Sequence, residues 1–289
     1  MLSILIPTYN YDARALVEAF TALASREHMA IEILIGDDAS TADTAWLDAV
    51  EQMMNVSVLR TEENLGRARN RNRMADIAKG EWLLFVDSDA LVENDFSLKA
   101  YLDATSLAPV ICGGVRHPAT NPNPEATLRY KYERRADRER SAACRTAAPY
   151  DRISTFNLLV RRDVFLQIRF DEACKEYGYE DTLFGAELER RGYAIQHIDN
   201  PLVHIGLESN DVFLKKSETA LRTLKHLGRR MECHSRIVAT ANYLSRLHLI
   251  WLVVAMYKLF GPMMKMNLLS RYPSLTLFQC YKLGYYLSL

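Results

Sequence analysis

The 289-residue sequence predicts an α/β fold, a mostly parallel sheet flanked by helices, with a helical extension at its C-terminal end. Three observations predict it. Short apolar runs without alternation, such as WLLFV at 82–86, read as strands buried on both faces. These runs alternate with stretches of helical apolar spacing, the pattern of βαβ units. Beyond residue 206 the strand-like runs stop, and the chain turns basic and aromatic.

Residues 2–6 form the first strand, stopped by Pro7, and residues 12–25 follow with Leu16, Val17, Phe20 and Leu23 at helical spacing. Residues 31–35 read as a strand ended by Gly36, Asp37 and Asp38, and 41–54 as a helix. Strand 56–59, helix 67–78, strand 82–86 and a short strand at 110–112 complete the alternation. From 121 to 151 the pattern breaks into a turn-like NPNPEA and a charge-dense RYKYERRADRERSAACR. That segment is either a solvated helix face or a mobile loop over a site. Strand 153–160, helix 181–191 and strand 193–198 resume the order. In such a sheet a ligand sits beyond the carboxyl ends of the strands. Thr8, Tyr9 and Asn10, then Asp37 and Asp38, then Asp87, Ser88 and Asp89 are therefore expected along one rim.

Composition narrows the function. With 49% hydrophobic and 25% charged residues the chain is ordinary globular material. Its formal net charge of zero gives no electrostatic case for a nucleic-acid partner. The charge is unevenly spread: residues 210–289 hold 12 Lys/Arg against 3 Asp/Glu, and residues 1–209 hold the remaining 24 and 33. An acidic body and a basic tail result. Five scattered cysteines without a CxxC pair read as free thiols, and the N-terminal apolar run is short for a signal peptide. A cytoplasmic protein is expected.

The tail contains a basic helix at 211–230 and the apolar stretch LHLIWLVVAMYKLF at 247–260, too short to span a bilayer. Its mixture of basic residues, Trp and Tyr is what an interfacial helix on the inner membrane face requires. Packing against the catalytic body, or against a second copy in a homodimer, is the alternative.

Asp87 and Asp89, one residue apart after a strand, make a hard oxygen site with little protein to complete it. Such a site suits Mn²⁺ or Mg²⁺ completed by phosphates and water. An isolated D-x-D is more often an exposed turn, but this one has company. PTYN at 7–10, IGDDAST at 35–41, ENLGRARNRNRMADIAKGEWLLFVDSDA at 63–90 and EYGYEDTLFGAELERRGY at 176–193 occur in order. Together they resemble the family 2 inverting glycosyltransferases of GT-A fold, over residues 1–206. Residues 207–289, the basic helical tail, lie outside the resemblance.

The resemblance implies a Rossmann-like GT-A domain, a nucleotide-sugar donor, most simply a UDP-sugar, and a glycan or lipid-linked glycan acceptor, as in surface-polysaccharide assembly. It places Thr8 and Tyr9 around the base and ribose, with Asp37 or Asp38 accepting a hydrogen bond from the base. Asn64, Gly66, Arg67 and Arg69 fall beside base and diphosphate, whereas Arg71 and Arg73 read as a solvated helix face. Asp89 is the direct metal ligand, with Asp87 and Ser88 nearer the ribose or sugar. His204, in PLVHIG after the expected final strand, falls where similar enzymes supply a metal-binding histidine. Asp181 of the ED pair matches the general base, with Glu180 in support, and both carboxylates also suit a helix N-terminus. Asn157, in FNLLVRRDVF, falls near the acceptor. A catalytically silent GT-A-like module for membrane assembly is the rival reading. A nucleotidyltransferase would want a Gly-rich basic loop after the first strand, which PTYNYDARAL lacks.

Overall fold

The structure, a computed structural model, describes residues 1–174, 178–231 and 234–289. Glu176 and Tyr177, at the head of the fourth motif, lie outside the described residues. The chain divides into two compact units. The first runs over Met1–His117 and resumes for most of 137–206; the second comprises chiefly Pro118–Ala136 and Leu207–Leu289.

Ten strands build the first unit: β1 (Leu2–Thr8), β2 (Ile31–Asp37), β3 (Val56–Arg60), β4 (Trp82–Val86), β5 (Ala90–Leu91), β6 (Val110–Cys112), β7 (Val115–Arg116), β8 (Asn157–Arg161), β9 (Ile195–His197) and β10 (Leu202–His204). Seven form the main sheet in the order β3-β2-β1-β4-β8-β6-β9, parallel except for β8. The other three form a small sheet, β5-β10-β7.

Both faces of the main sheet are buried, which is why its strands read as unbroken apolar runs. Ile4, Ile6, Leu84 and Val86 join one core with α1 (Arg14–Glu27), α2 (Ala45–Glu51) and Tyr101. Leu5, Leu83 and Phe85 face the opposite core, with Met74 from α3 (Arg67–Ile77). Tyr101 belongs to α4 (Leu98–Ala104). Several elements differ from those expected. The helix expected over 41–54 starts only at Ala45, because Asn10 Oδ1 accepts from Thr41 N and Ala42 N at 2.7 and 2.9 Å. A side chain satisfying backbone donors in this way competes with the helix. The strand expected from 153 begins at Asn157, and the 193–198 strand shrinks to Ile195–His197. His204 does not follow a final strand but ends one, β10, which carries only three residues and no periodicity to read.

The 121–151 segment is largely helical, with α5 (Thr127–Ala136) in the second unit and α6 (Ala142–Thr146) in the first. α7 (Arg162–Ile168) and α8 (Glu180–Arg190) complete the first unit. In the second, α5 is joined by α9 (Asn210–Leu227), α10 (Arg236–Arg246), α11 (Ile250–Leu268) and α12 (Leu275–Ser288). Leu128 of α5 packs with Phe213, Leu214, Leu268, Phe278 and Tyr281 in a core of this unit's own. A division at residue 206 by sequence alone leaves α5 in the wrong unit, because its apolar partners are remote in sequence. Ser209, Ser235 and Ser274 accept from the backbone amide three residues on, capping α9, α10 and α12.

Candidate active site

β1 and β2 end together, with Thr8 opposite Asp37 in the parallel register. Thr8 Oγ1 donates to the Tyr11 carbonyl at 2.7 Å, and the Thr8 carbonyl accepts from Asp38 N at 3.0 Å. The Asp38 carboxylate accepts from Leu65 N at 2.7 Å and Gly66 N at 3.0 Å, and Asn64 Nδ2 donates to its carbonyl at 3.2 Å. Asp38 thus spends both oxygens on the turn that launches α3, while Asp37 Oδ1 accepts from Ser40 Oγ at 2.5 Å. Thr8, Asp37, Asp38 and Asn64 are therefore gathered at the strand ends, and the adjoining Tyr9 is exposed.

Arg71 overturns an expectation. It was expected beside Arg73 on a solvated face, yet the side chain is 1% exposed. Residues two apart on a helix point about 200° apart, so Arg71 and Arg73 cannot share a face. Arg73 faces out and donates to the Arg60 carbonyl at 3.0 Å. Arg71 Nη2 donates to Asp87 Oδ1 at 2.5 Å, and its Nη1 lies 3.6 Å from Glu180 Oε1. Arg67, one turn earlier, reaches the same Glu180 oxygen at 3.9 Å. A buried guanidinium thereby joins the carboxylate after β4 to the acidic start of α8. Among the described residues, the buried Arg71 Nε and Nη1 have no hydrogen-bond acceptor.

Two carboxylates that feel the Arg71 charge, Asp87 and Asp181, are pushed in opposite directions. Burial would raise the Asp87 carboxyl, but the Arg71 and Arg67 charges outweigh it and hold it below the ordinary carboxylate range. Asp181 is raised to about 7, by burial first and by the neighbouring Glu180 charge second, with Arg71 opposing both. Carboxylates shifted in opposite directions are the pattern that divides acid–base labour in active sites.

The small sheet lines up the remaining groups. β10 pairs with β5 so that His204 faces Ala90, next to Asp89, and with β7 so that Val203 faces Arg116, next to His117. His204 Nε2 lies 3.0 Å from Asp89 Oδ2. The His204 ring is flanked edge-on by Phe156 and His117, with centroids 5.4 and 5.8 Å away. His117 Nδ1 in turn lies 2.7 Å from Asp137 Oδ1. His117 was missed from sequence, since only the β7–β10 register brings it beside His204. Gly206 was missed as well. A Cβ there would come within 2.2 Å of Asp89 Oδ2, so only glycine lets the backbone pass this carboxylate. One carboxylate and one imidazole side by side are ligand types that could hold a divalent cation of the Mn²⁺ type. Asp87, expected to share that cation, has one oxygen engaged by Arg71.

Ser88 is partly buried between the two aspartates, and Arg69 projects from the exposed side of α3. Asn157 is a correction: it is buried and its amide is used inside the fold. It accepts from Tyr101 Oη at 2.5 Å and donates to the Gly114 and Asn200 carbonyls at 3.0 and 2.9 Å. It fastens the start of β8 to α4 and to the β6–β7 and β9–β10 connections, and offers no group to an acceptor.

Residues 3–169 match the family described as glycosyl transferase family 2. Over 93 residues the chain is 42% identical to a Haemophilus influenzae protein described as an uncharacterized glycosyltransferase, covering 31% of this chain and 29% of that one. Over 97 residues it is 31% identical to the Staphylococcus aureus poly(ribitol-phosphate) beta-N-acetylglucosaminyltransferase TarS, covering 32% of this chain and 17% of TarS. The matched stretch is thus less than a third of either relative's length. A crystal structure of S. aureus TarS superposes with a TM-score of 0.51 at 20% identity, covering 78% of this chain and 40% of that one, a likeness of fold.

Proposed function

The chain belongs to glycosyl transferase family 2, and from that premise we propose that it moves a sugar from a UDP-sugar to a hydroxyl of a glycan or lipid-linked glycan, with inversion. The observation that carries this reading is the buried Arg71 joining Asp87 to Glu180, with Asp181 beside it raised to about 7. An N-acetylated hexosamine is the first donor to try, because TarS, 31% identical over its matched stretch, is named for that transfer.

In this reading the donor lies along the strand ends, with its base at Thr8, Tyr9 and Asp37. Asp37 takes the base because Asp38 is spent on the Leu65 and Gly66 amides. Asn64 flanks the base, and Asp87 and Ser88 meet the ribose or sugar; Arg69, two residues from Arg71, is turned to the other side of α3 and is left out of the donor site. Arg71 Nε and Nη1, which have no hydrogen-bond acceptor among the described residues, are donors that a ligand oxygen would satisfy. The acceptor hydroxyl approaches the sugar from the face opposite the diphosphate. Asp181, as carboxylate, takes its proton while the new C–O bond forms and the bond to the diphosphate oxygen breaks, releasing UDP. Glu180 and Arg71 hold Asp181 in place and share its field. Asp89 Oδ2 and His204 Nε2 would hold Mn²⁺ or Mg²⁺, which supplies positive charge against that gathering on the departing diphosphate.

The test is nucleotide release from a panel of UDP- and GDP-sugars with Mn²⁺ or Mg²⁺, comparing the parent with Asp181→Asn. Transfer from a UDP-sugar that Asp181→Asn abolishes, with UDP binding retained, is the expected result. Turnover unchanged by Asp181→Asn would remove the base, and turnover of GDP-sugars alone would remove the UDP assignment.

A further inference from the structure

One face of α11 is apolar and open. Trp251, Leu252, Ala255, Met256, Leu259, Pro262, Met263 and Met266 are all exposed, Leu259 at 68% and Met266 at 74%. At 100° per residue they fall in one arc of about 140°, and they run for about 22 Å along the axis. Soluble surfaces rarely leave so continuous a stripe uncovered, and where they do it marks an interaction. The opposite side of the helix is occupied: Leu268 is buried in the core of the second unit and Tyr257 packs against Tyr281.

The charge around the stripe selects its partner. From 236 to 289, spanning α10 to α12, the chain has six Lys/Arg and no Asp or Glu. Lys258 and Lys265 stand on one edge of the stripe by helical angle, and Arg246 and Arg271 flank α11 at its two ends. Trp251 opens the helix and Tyr272, 82% exposed, follows its end. Apolar face, basic edge and terminal aromatics are together the composition of a helix lying in a membrane interface. Among the described residues no single helix is long and apolar enough to cross a bilayer, and α10 and α11, which reach the length together, meet at 118°.

We propose that the exposed face of α11 is a docking surface for a bilayer rich in anionic lipid, the helix lying in the plane of the surface with its basic edge at the headgroups. The proposal rests on the second unit alone and stands apart from the donor and acceptor assignments.

The experiment uses the full chain with vesicles of phosphatidylglycerol and phosphatidylethanolamine, and with pure phosphatidylcholine vesicles. Co-flotation reads binding, and Trp251 emission reads insertion. The expected result is flotation with the anionic vesicles, a blue shift of emission, and loss of both in Leu259→Glu/Met263→Glu with an unchanged melting profile. Lys258→Gln/Lys265→Gln is expected to lower partitioning by about fivefold for each lysine removed. Parent protein that ignores anionic vesicles overturns the proposal. So does a dimer in light scattering that Leu259→Glu/Met263→Glu converts to monomer without any vesicle binding by the parent, because the stripe is then a contact between copies.

Discussion

Arg71 Nη2 donates to Asp87 Oδ1 at 2.5 Å from a position 1% exposed to solvent, so a full positive charge is buried at the tip of the central strand. A buried ion pair is tolerated when both partners are held, and removing one strands the other. Arg71→Met leaves the more distant Arg67 as the guanidinium facing Asp87 and Glu180, and a destabilisation of about 3–5 kcal/mol is expected, read by denaturant unfolding. Arg71→Lys keeps the charge but not the planar fork. It is expected to fold and to lose about 100-fold in transfer, because a single ammonium cannot hold Asp87 and Glu180 together as the fork does. A Lys variant with parental rate would make Arg71 a filler of space.

The elevated Asp181 carboxyl sets a pH dependence. The base must be ionised, so kcat/KM is expected to climb about tenfold per pH unit below about 7 and to level above it. Glu180 from the same helix and Arg71 from α3 are the charges that face it. The sign for stability is opposite. Asp181 binds its proton more tightly folded than unfolded, so stability falls as pH rises from about 4 through 7 and stays lower above. Asp181→Asn is expected to abolish transfer and to raise the melting temperature at pH 8 by about 2–4 °C. A flat rate profile from pH 5 to 8 would contradict the assignment.

Gly206 gives a steric route to the cation pair. Gly206→Ala puts a methyl within 2.2 Å of Asp89 Oδ2, and the carboxylate must move. Calorimetry of UDP with and without Mn²⁺ is expected to show metal-dependent binding weakened at least about tenfold, as for Asp89→Ala, with any metal-independent binding kept. Chelation by EDTA should act on the parent and leave Gly206→Ala almost unaffected. Equal metal dependence in both proteins would put the cation elsewhere.

Much of this was legible in the sequence where the signal was local. β4 was read to the residue, because a strand buried on both faces is apolar without alternation. The DSD pair stood out because charges seldom follow such runs, and the ED pair stood out through the resemblance of its motif. Arg71 was misread because neighbouring basic residues in α3 were taken together, although a helix turns them apart. His117 and Gly206 carried no local signal; a three-residue strand and its register with two-residue partners define their neighbourhood. The core around Leu128 and Phe278 was equally hidden, since its members come from helices far apart in the chain.

β5 and β7 contribute two residues each, so β10 is held to its neighbours by very few backbone bonds. The row from Asp89 to His117 therefore rests on the part of the first unit with the shallowest claim to permanence. Local opening there requires far less free energy than global unfolding, and its amides should be among the first to exchange with deuterated solvent. A donor and cation that bind only the closed row would slow that exchange at Ala90, His204 and Arg116 while leaving β1 and β4 untouched. Occupancy of the site would then be readable as a time constant, without any sugar having been transferred.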